Sequence, residues 1–440
     1  MTREWTPKAF FVVAVLLGLA WVFVTPAFTV PDERGHFLRG VAIAGGDLRT
    51  APRPEAMVIE IDQGLRDFSW RVLSDVDRAW LFDARFRSDA ARIRFDGRTA
   101  TTWVVPLYTP LPYIPQALVG AAGSLARMRP VIVFYAGRIA NLVAWMGIIA
   151  LAIRIAPSCA QLFAVIALLP MSLFLFGSWS ADAASIALAM LFTALVVREA
   201  SAVDSIPRSH VFGLAAAAFL LALGKPAYAL LTAVVVAIPR SRFASRSRYV
   251  AMVALVGGAA VIGTLISMEY FNRAYYNFRP QLPIDPAAQA SCIRHDPARF
   301  ADVVARDVRQ NVRFYIDQIA GRFAHNEIKL QDWVWRTEWI ALAIIAATTI
   351  ARVRPVFRAA ALVIALTSII AIITSQYVIW SIVCSDTIQG VQGRYFLPVL
   401  PLLGLAVGGF WKWRPPAVLL LIVAIVCNAS ALATVIVWYA

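Results

Sequence analysis

Four short stretches hold the residues best suited to chemistry. The first reads Pro31-Asp32-Glu33-Arg34-Gly35-His36. At helical spacing Asp32 and His36 share a face, with Glu33 beside them. A carboxylate converging on an imidazole suits general-base catalysis or metal binding. The same letters also make an ordinary helix start, with Pro31 at the first position and acids at the positive end. Asp182 closes Ser178-Trp179-Ser180-Ala181-Asp182, where a lone acid is commonly a cap. Lys225 lies in Gly224-Lys225-Pro226, between two apolar runs. An ionisable group there is a functional candidate whose partner is a phosphate or one of the acids above, or else it is a snorkelling anchor. In Gln389-Gly390-Val391-Gln392-Gly393-Arg394-Tyr395, two glycines allow close backbone approach and Arg394 offers a fork for phosphate. A tight turn with Arg394 and Tyr395 as interfacial anchors is the plainer reading.

The elements that must position these residues are apolar helices. The chain has 440 residues, 60% hydrophobic and 15% charged, with a mean hydropathy of +0.69. Soluble domains are about 45–50% apolar and about 25% charged. The apolar residues fall in long blocks, such as 10–24, 131–153, 250–266 and 416–438, and roughly 20 apolar residues cross the hydrocarbon layer as a helix. The sequence predicts an all-α polytopic membrane protein with about 11 spans, at 9–25, 131–153, 160–176, 183–198, 211–223, 226–238, 249–267, 339–351, 359–380, 395–411 and 416–438. The first is read as a retained anchor. Residues 1–440 are read as one membrane domain interrupted by two large polar loops, 26–130 and 268–338. Both loops mix acids with bases and carry many aromatics, as folded loops do.

The short loops set the orientation. With the N-terminus inside, Arg3, Lys8, Arg154, Arg198, Arg208, Arg240, Arg242, Arg246, Arg248, Arg352, Arg354, Arg358, Lys412 and Arg414 are cytoplasmic, 14 positive residues against Glu4, Glu199 and Asp204. That asymmetry obeys the positive-inside rule, so both large loops lie outside. Residues 111–126 are read as an interfacial helix of the first loop, because a crossing there would merge 211–238 into one span with Lys225 near mid-membrane, at about 2.5–3.5 kcal/mol.

The net charge of +15 is explained by those loops, and no zinc-finger, RNP or helix-turn-helix pattern points to nucleic acid. No P-loop, GxSxG or HExxH is present, and the cytoplasmic loops are too short for a nucleotide-binding domain. Cys292 and Cys384 both fall outside, where a disulfide between them or two free thiols are open alternatives. A divalent metal held by Asp32, Glu33 and His36 is left open too, although hard-cation sites need more ligands than these.

Several motifs occur in order: Pro31-Asp32-Glu33-x-x-His36, Tyr108-x-Pro110-x-x-Tyr113, Arg138-x-x-Asn141, Ser178-x-Ser180-x-Asp182, Gly224-Lys225-x-x-Tyr228 and Gly393-Arg394-Tyr395-Phe396-x-Pro398. This set resembles a bacterial family of predicted membrane proteins of unknown function that groups with the GT-C glycosyltransferases. It is distantly similar to the protein O-mannosyltransferase and aminoarabinose-transferase type. The resemblance implies a GT-C-like fold in the bacterial cytoplasmic membrane, with the active site on the outer face. It implies transfer of a sugar from a polyprenyl-phosphate-linked donor to an envelope glycan, lipid or protein. The catalytic acid would be Asp32 or Glu33, with Asp182 in support. The chemistry asks for a base on the acceptor hydroxyl and cations on the departing phosphate. Lys225 and Arg394 are the expected cations, with His36 and Tyr395 beside them, and direct displacement would invert the sugar carbon. A transporter for a lipid-linked sugar, or a glycan polymerase or ligase, is the competing expectation. A transporter should place polar groups near mid-membrane, whereas this chain concentrates its acids outside.

Overall fold

The computed structural model describes residues 5–49, 51–53, 56–74, 80–103, 108–275, 284–349, 351, 353–411 and 413–439. Arg3, Glu4, Arg352 and Lys412, four of the charges used to orient the chain, lie outside the described residues. Helix α1 (Pro7–Val24) starts on Thr6, whose hydroxyl accepts the Ala9 amide, with Pro7 in the first turn where its missing N–H is no loss.

The first polar insertion begins with α2 (Glu33–Ala44). An antiparallel sheet follows, ordered β1 (Ala51–Arg53), β2 (Ala56–Asp62), β3 (Thr99–Trp103), with α3 (Gln63–Ser74) and α4 (Ala84–Arg92) between the last two strands. Val58 stands opposite Trp103, and Asp62 opposite Thr99. Ile59 and Ile61 are buried while Glu60 is exposed, the period of two that a one-sided sheet requires. A 3-10 turn at Leu111–Tyr113 leads into α5 (Ile114–Leu125), whose 12 residues are about 18 Å long. That is too short for a hydrocarbon layer of about 30 Å. Helix α5 packs on α2 and on α6 (Pro130–Ile155).

Helices α7 (Ala160–Ala167) and α8 (Pro170–Phe176) follow, the chain bending by 82° between them. Then come α9 (Asp182–Ser201) and α10 (Arg208–Gly224). Segment 226–238, expected as an α-helical span, is instead a 3-10 helix, Pro226–Ala237. At about 2.0 Å per residue it reaches about 24 Å, against about 18 Å as an α-helix, so a short segment covers more depth. Helix α11 (Arg246–Tyr275) packs along α10. The second insertion carries α12 (Pro286–His295), α13 (Pro297–Ala320) and a hairpin of β4 (Arg322–Phe323) and β5 (Ile328–Lys329). The chain continues through α14 (Asp332–Thr348), α15 (Pro355–Trp380), a 3-10 helix Gly393–Val399 running into α16 (Leu400–Ala406), and α17 (Ala417–Tyr439).

The fold is mostly helical, and the all-α expectation is corrected by the two small sheets. The eleven expected spans fall largely within helices, but length and composition single out fewer. Among the described residues, helices α1, α6, α9, α11, α15 and α17 are the six long and apolar enough to cross a membrane, or seven crossings if the bent pair counts as one. Helix α9 is the axis of the packing, with 89% of its apolar stretch buried. Outside this core Cys292 on α12 forms a disulfide with Cys384, their Cα atoms 5.8 Å apart, while Cys159 and Cys427 are free and buried.

Candidate functional site

The end of α1 and the start of α2 are clamped by one buried ion pair. Arg138, on α6, uses all five of its N–H groups. Its Nε and Nη2 donate to the Glu33 carboxylate at 2.8 and 2.7 Å, and the rest go to the carbonyls of Val22, Thr25 and Pro26. Those carbonyls lie at a helix C-terminus and in the turn after it, where the backbone lacks partners of its own. Glu33 in turn accepts the amides of Phe28 (3.0 Å) and Trp179 (3.1 Å). A carboxylate has about four acceptor sites, and these contacts fill them. Asn141, one turn further along α6, donates to the carbonyls of Phe176 and Ser178 and accepts from Gln116. The indole of Trp179 donates to the Phe134 carbonyl at 2.8 Å. Gly40 and Gly137 leave room for that ring: a Cβ on either would come within 2.5 and 2.1 Å of it.

This scaffold presents a second set of side chains at the same end of the bundle. Asp182 opens α9, its amide donating to the Ser180 hydroxyl. Its carboxylate lies 3.0 Å from Lys225 Nζ and 3.1 Å from Arg394 Nε. Arg394 Nη2 continues to Asp32, 2.9 Å away. The result is a chain of alternating charge, Lys225–Asp182–Arg394–Asp32. Lys225, Asp182 and Arg394 are nearly enclosed, whereas the Asp32 side chain is 66% exposed. Lys225 comes to Gly224's end of α10, and Arg394 enters on the 3-10 helix after Gly393, whose amide donates to Gln318.

Aromatic rings wall the cations. Lys225 Nζ lies 4.1 Å from the centre of the Tyr395 ring and 5.4 and 5.7 Å from those of Tyr108 and Tyr228. Such contacts hold an ammonium by the ring quadrupole. Tyr228 donates to the Tyr395 carbonyl at 3.0 Å, tying the two 3-10 helices together. His36 Nδ1 is hydrogen-bonded to the Tyr113 hydroxyl at 2.7 Å, and its ring stacks on Tyr108. Burial pushes the His36 imidazole down to about 4, the nearby Asp32 and Asp182 opposing that and Arg394 and Lys225 adding to it. Burial likewise raises the Tyr108 phenol to about 12.

Asp32, His36, Asp182, Lys225, Arg394 and Tyr395 are therefore brought together. Glu33 is not: it is withdrawn as a candidate base, since Arg138 and two backbone amides occupy its oxygens. The metal set Asp32, Glu33 and His36 is corrected for the same reason. Among the described residues no three His, Cys, Asp or Glu side chains group to hold a metal ion. Sequence reasoning did not place Tyr108, Tyr113 and Tyr228 in the site, nor assign Arg138 and Asn141 to the scaffold. Their spacing within the ordered motifs was the available signal.

Long apolar helices around a common core, capped at one end by a charged and aromatic cluster, define a polytopic membrane protein. The chain belongs to the family described as Predicted membrane protein (DUF2142), whose model matches residues 15–403, a span that includes every residue of the cluster. No curated protein and no solved structure matches it.

Proposed function

We propose that this protein is a GT-C-like glycosyltransferase of the bacterial cytoplasmic membrane, with about eleven crossings and its N-terminus inside. It moves a sugar from a polyprenyl-phosphate-linked donor to an acceptor glycan, lipid or protein on the outer face. One observation carries the reading: two nearly enclosed cations, Lys225 and Arg394, stand next to the exposed carboxylate of Asp32. The step needs both. The acceptor hydroxyl gives its proton to Asp32 as its oxygen bonds to the anomeric carbon. The bond from that carbon to the phosphate oxygen breaks, and its electron pair leaves with the lipid phosphate beside Lys225 and Arg394. Preorganised cations around a leaving phosphate lower the barrier without reorganising. Asp182 touches both cations and positions them. One base and one displacement invert the sugar carbon.

The topology supports this reading. The ends of α1 and α10 and the starts of α9 and the Gly393–Val399 helix meet at the site, the arrangement expected if these elements alternate in direction across the membrane. A transporter for a lipid-linked sugar is the second reading, favoured by the 82° break between α7 and α8, since broken helices mark many transport sites.

Native mass spectrometry of the detergent-purified protein tests the carrier site without knowledge of the sugar. Undecaprenyl phosphate should bind saturably, one to one, better than neutral undecaprenol, and about tenfold more weakly to Lys225→Ala. If phosphorylated and neutral lipids bind alike, the carrier-lipid reading falls. Sugar transfer lost in Asp32→Asn with lipid binding kept then separates enzyme from transporter.

A further inference from the structure

Arg394 is placed through its backbone, which is gripped on both sides. After it, the Tyr395 carbonyl accepts the Tyr228 hydroxyl at 3.0 Å. Before it, the Gly393 amide donates to Gln318 Oε1, on the last turn of α13. We propose that Gln318 is a positioning residue for Arg394, so that the second insertion fixes the guanidinium that the reading above assigns to the departing phosphate. The inference rests on that reading for its chemistry, while the placement itself is measurable without a lipid.

Gly393 opens a 3-10 helix, and the first amides of a helix have no partner within it. Gln392 at the N-cap makes no side-chain cap, and the partner comes from Gln318, 75 positions away. The contact is close: a Cβ on Gly393 would come within 2.0 Å of the Tyr315 carbonyl oxygen, so glycine is what lets the chain lie against α13. Gln318 is 1% exposed, so no solvent stands ready to replace it. A buried amide that loses its acceptor must shift to find another. Here the shift carries Arg394 with it, away from contacts of 3.1 Å to Asp182 and 2.9 Å to Asp32.

Gln318 is itself held in place. Its Nε2 donates to Asn326 Oδ1 at 2.8 Å, which fixes the end of the amide that faces Gly393. Asn326 lies in the turn of the β4–β5 hairpin, where Ala324, His325 and Asn326 are all left-handed, with φ 48°, 55° and 78°. Such a turn is costly for residues other than glycine and persists only where its surroundings enforce it. Phe323 supplies that anchor, buried against Trp21 and Phe174 with ring centres 4.9 and 5.0 Å away. Arg394 is thus referred, through Gly393, Gln318 and Asn326, to the end of α1, the helix whose continuation carries Asp32. The cation and the proposed base take their places from the same part of the molecule.

Phenylglyoxal labels accessible guanidinium groups, and peptide mass spectrometry of the detergent-purified full chain reads each arginine separately. Arg394 and Arg138 are both enclosed, with side chains 5% and 0% exposed, and should label slowly in the wild type. Gln318→Met keeps the length of the side chain and removes the acceptor. It should speed labelling of Arg394 about fivefold, the worth of about one hydrogen bond, and leave Arg138 unchanged. Gln318→Glu keeps an acceptor for the Gly393 amide and should leave Arg394 protected. If Gln318→Met does not fold, Asn326→Ala removes only the far partner and should still raise labelling at Arg394 and not at Arg138. An equal rise at both arginines would make Gln318 a general packing residue and overturn the proposal, as would unchanged labelling of Arg394. Undecaprenyl phosphate, followed by native mass spectrometry, should bind Gln318→Met about fivefold more weakly. Selective labelling of Arg394 without that loss would uphold the placement and sink the carrier-lipid reading instead.

Discussion

The backbone at Asp32 is left-handed, with φ 65°, a conformation that Asp tolerates better than most residues. It lets the chain enter α2 with the two adjacent acids committed differently: Glu33 is buried against Arg138, and Asp32 reaches Arg394 across the open side of the site. His36, one turn on, is the titratable group whose state has a measurable consequence. Its imidazole ionises near 4 when folded and at about 6.5 in a free chain. Between those values the unfolded chain binds a proton that the folded chain does not, so stability must fall as the pH drops from 6.5 toward 4. The slope from this one group is at most about 1.4 kcal/mol per pH unit. Melting curves in detergent at pH 8, 6 and 5 should show that loss in the wild type and a shallower one in His36→Gln. Identical slopes would mean that His36 titrates normally in the folded protein.

Among the elements, α14 contains a residue that the site does not use. Glu338 is 4% exposed, and neither of its carboxyl oxygens has a hydrogen-bond partner among the described residues. It borders a cavity of about 30 Å³ with Trp5, Leu168, Leu169, Ala424 and Cys427, beside the break between α7 and α8. A buried polar group without a partner costs about 1–3 kcal/mol. Glu338→Leu, similar in volume and apolar like its surroundings, should therefore raise the melting temperature, corresponding to about 1 kcal/mol or more. A lower melting temperature would show that the carboxyl has a partner in the working protein. It would then favour the transporter reading, in which an acid at a broken helix binds an ion or a proton.

At the scale of the whole molecule, Arg138 joins parts of the chain far apart in sequence: the end of α1, the start of α2, α6 and, through Glu33, the turn before α9. Breaking such a buried pair on one side leaves an uncompensated charge, at about 3–5 kcal/mol. Arg138→Met should lose most folded protein. Glu33→Met/Arg138→Met should recover only part of it, because the carbonyls of Val22, Thr25 and Pro26 would still lack donors. Thermal or chaotrope unfolding of the two single variants and the double variant forms the cycle. Strictly additive losses would mean that the pair is not coupled, and complete recovery that the carbonyls do not need Arg138.

The sequence alone determined that this is a membrane protein built mainly of helices, since apolar runs of about 20 residues have few other stable solutions. It also marked Asp32, His36, Asp182, Lys225, Arg394 and Tyr395, because charged and aromatic residues at the ends of apolar runs stand out against their surroundings. The sheet in the first insertion was less legible: β2 alternates over few residues inside a polar stretch of mixed composition. The 3-10 winding of Pro226–Ala237 was hidden too, since apolar composition does not specify rise per residue. Only the tertiary structure decided between Asp32 and Glu33. Their letters are equivalent, and what separates them is Arg138, 105 positions from Glu33 and 2.8 Å from its carboxylate. The pairing of Arg394 with Asp32, 362 positions apart, is of the same kind. Composition and periodicity act over a helical turn or two, whereas the partner that sets the state of a buried charge arrives from wherever the chain folds back.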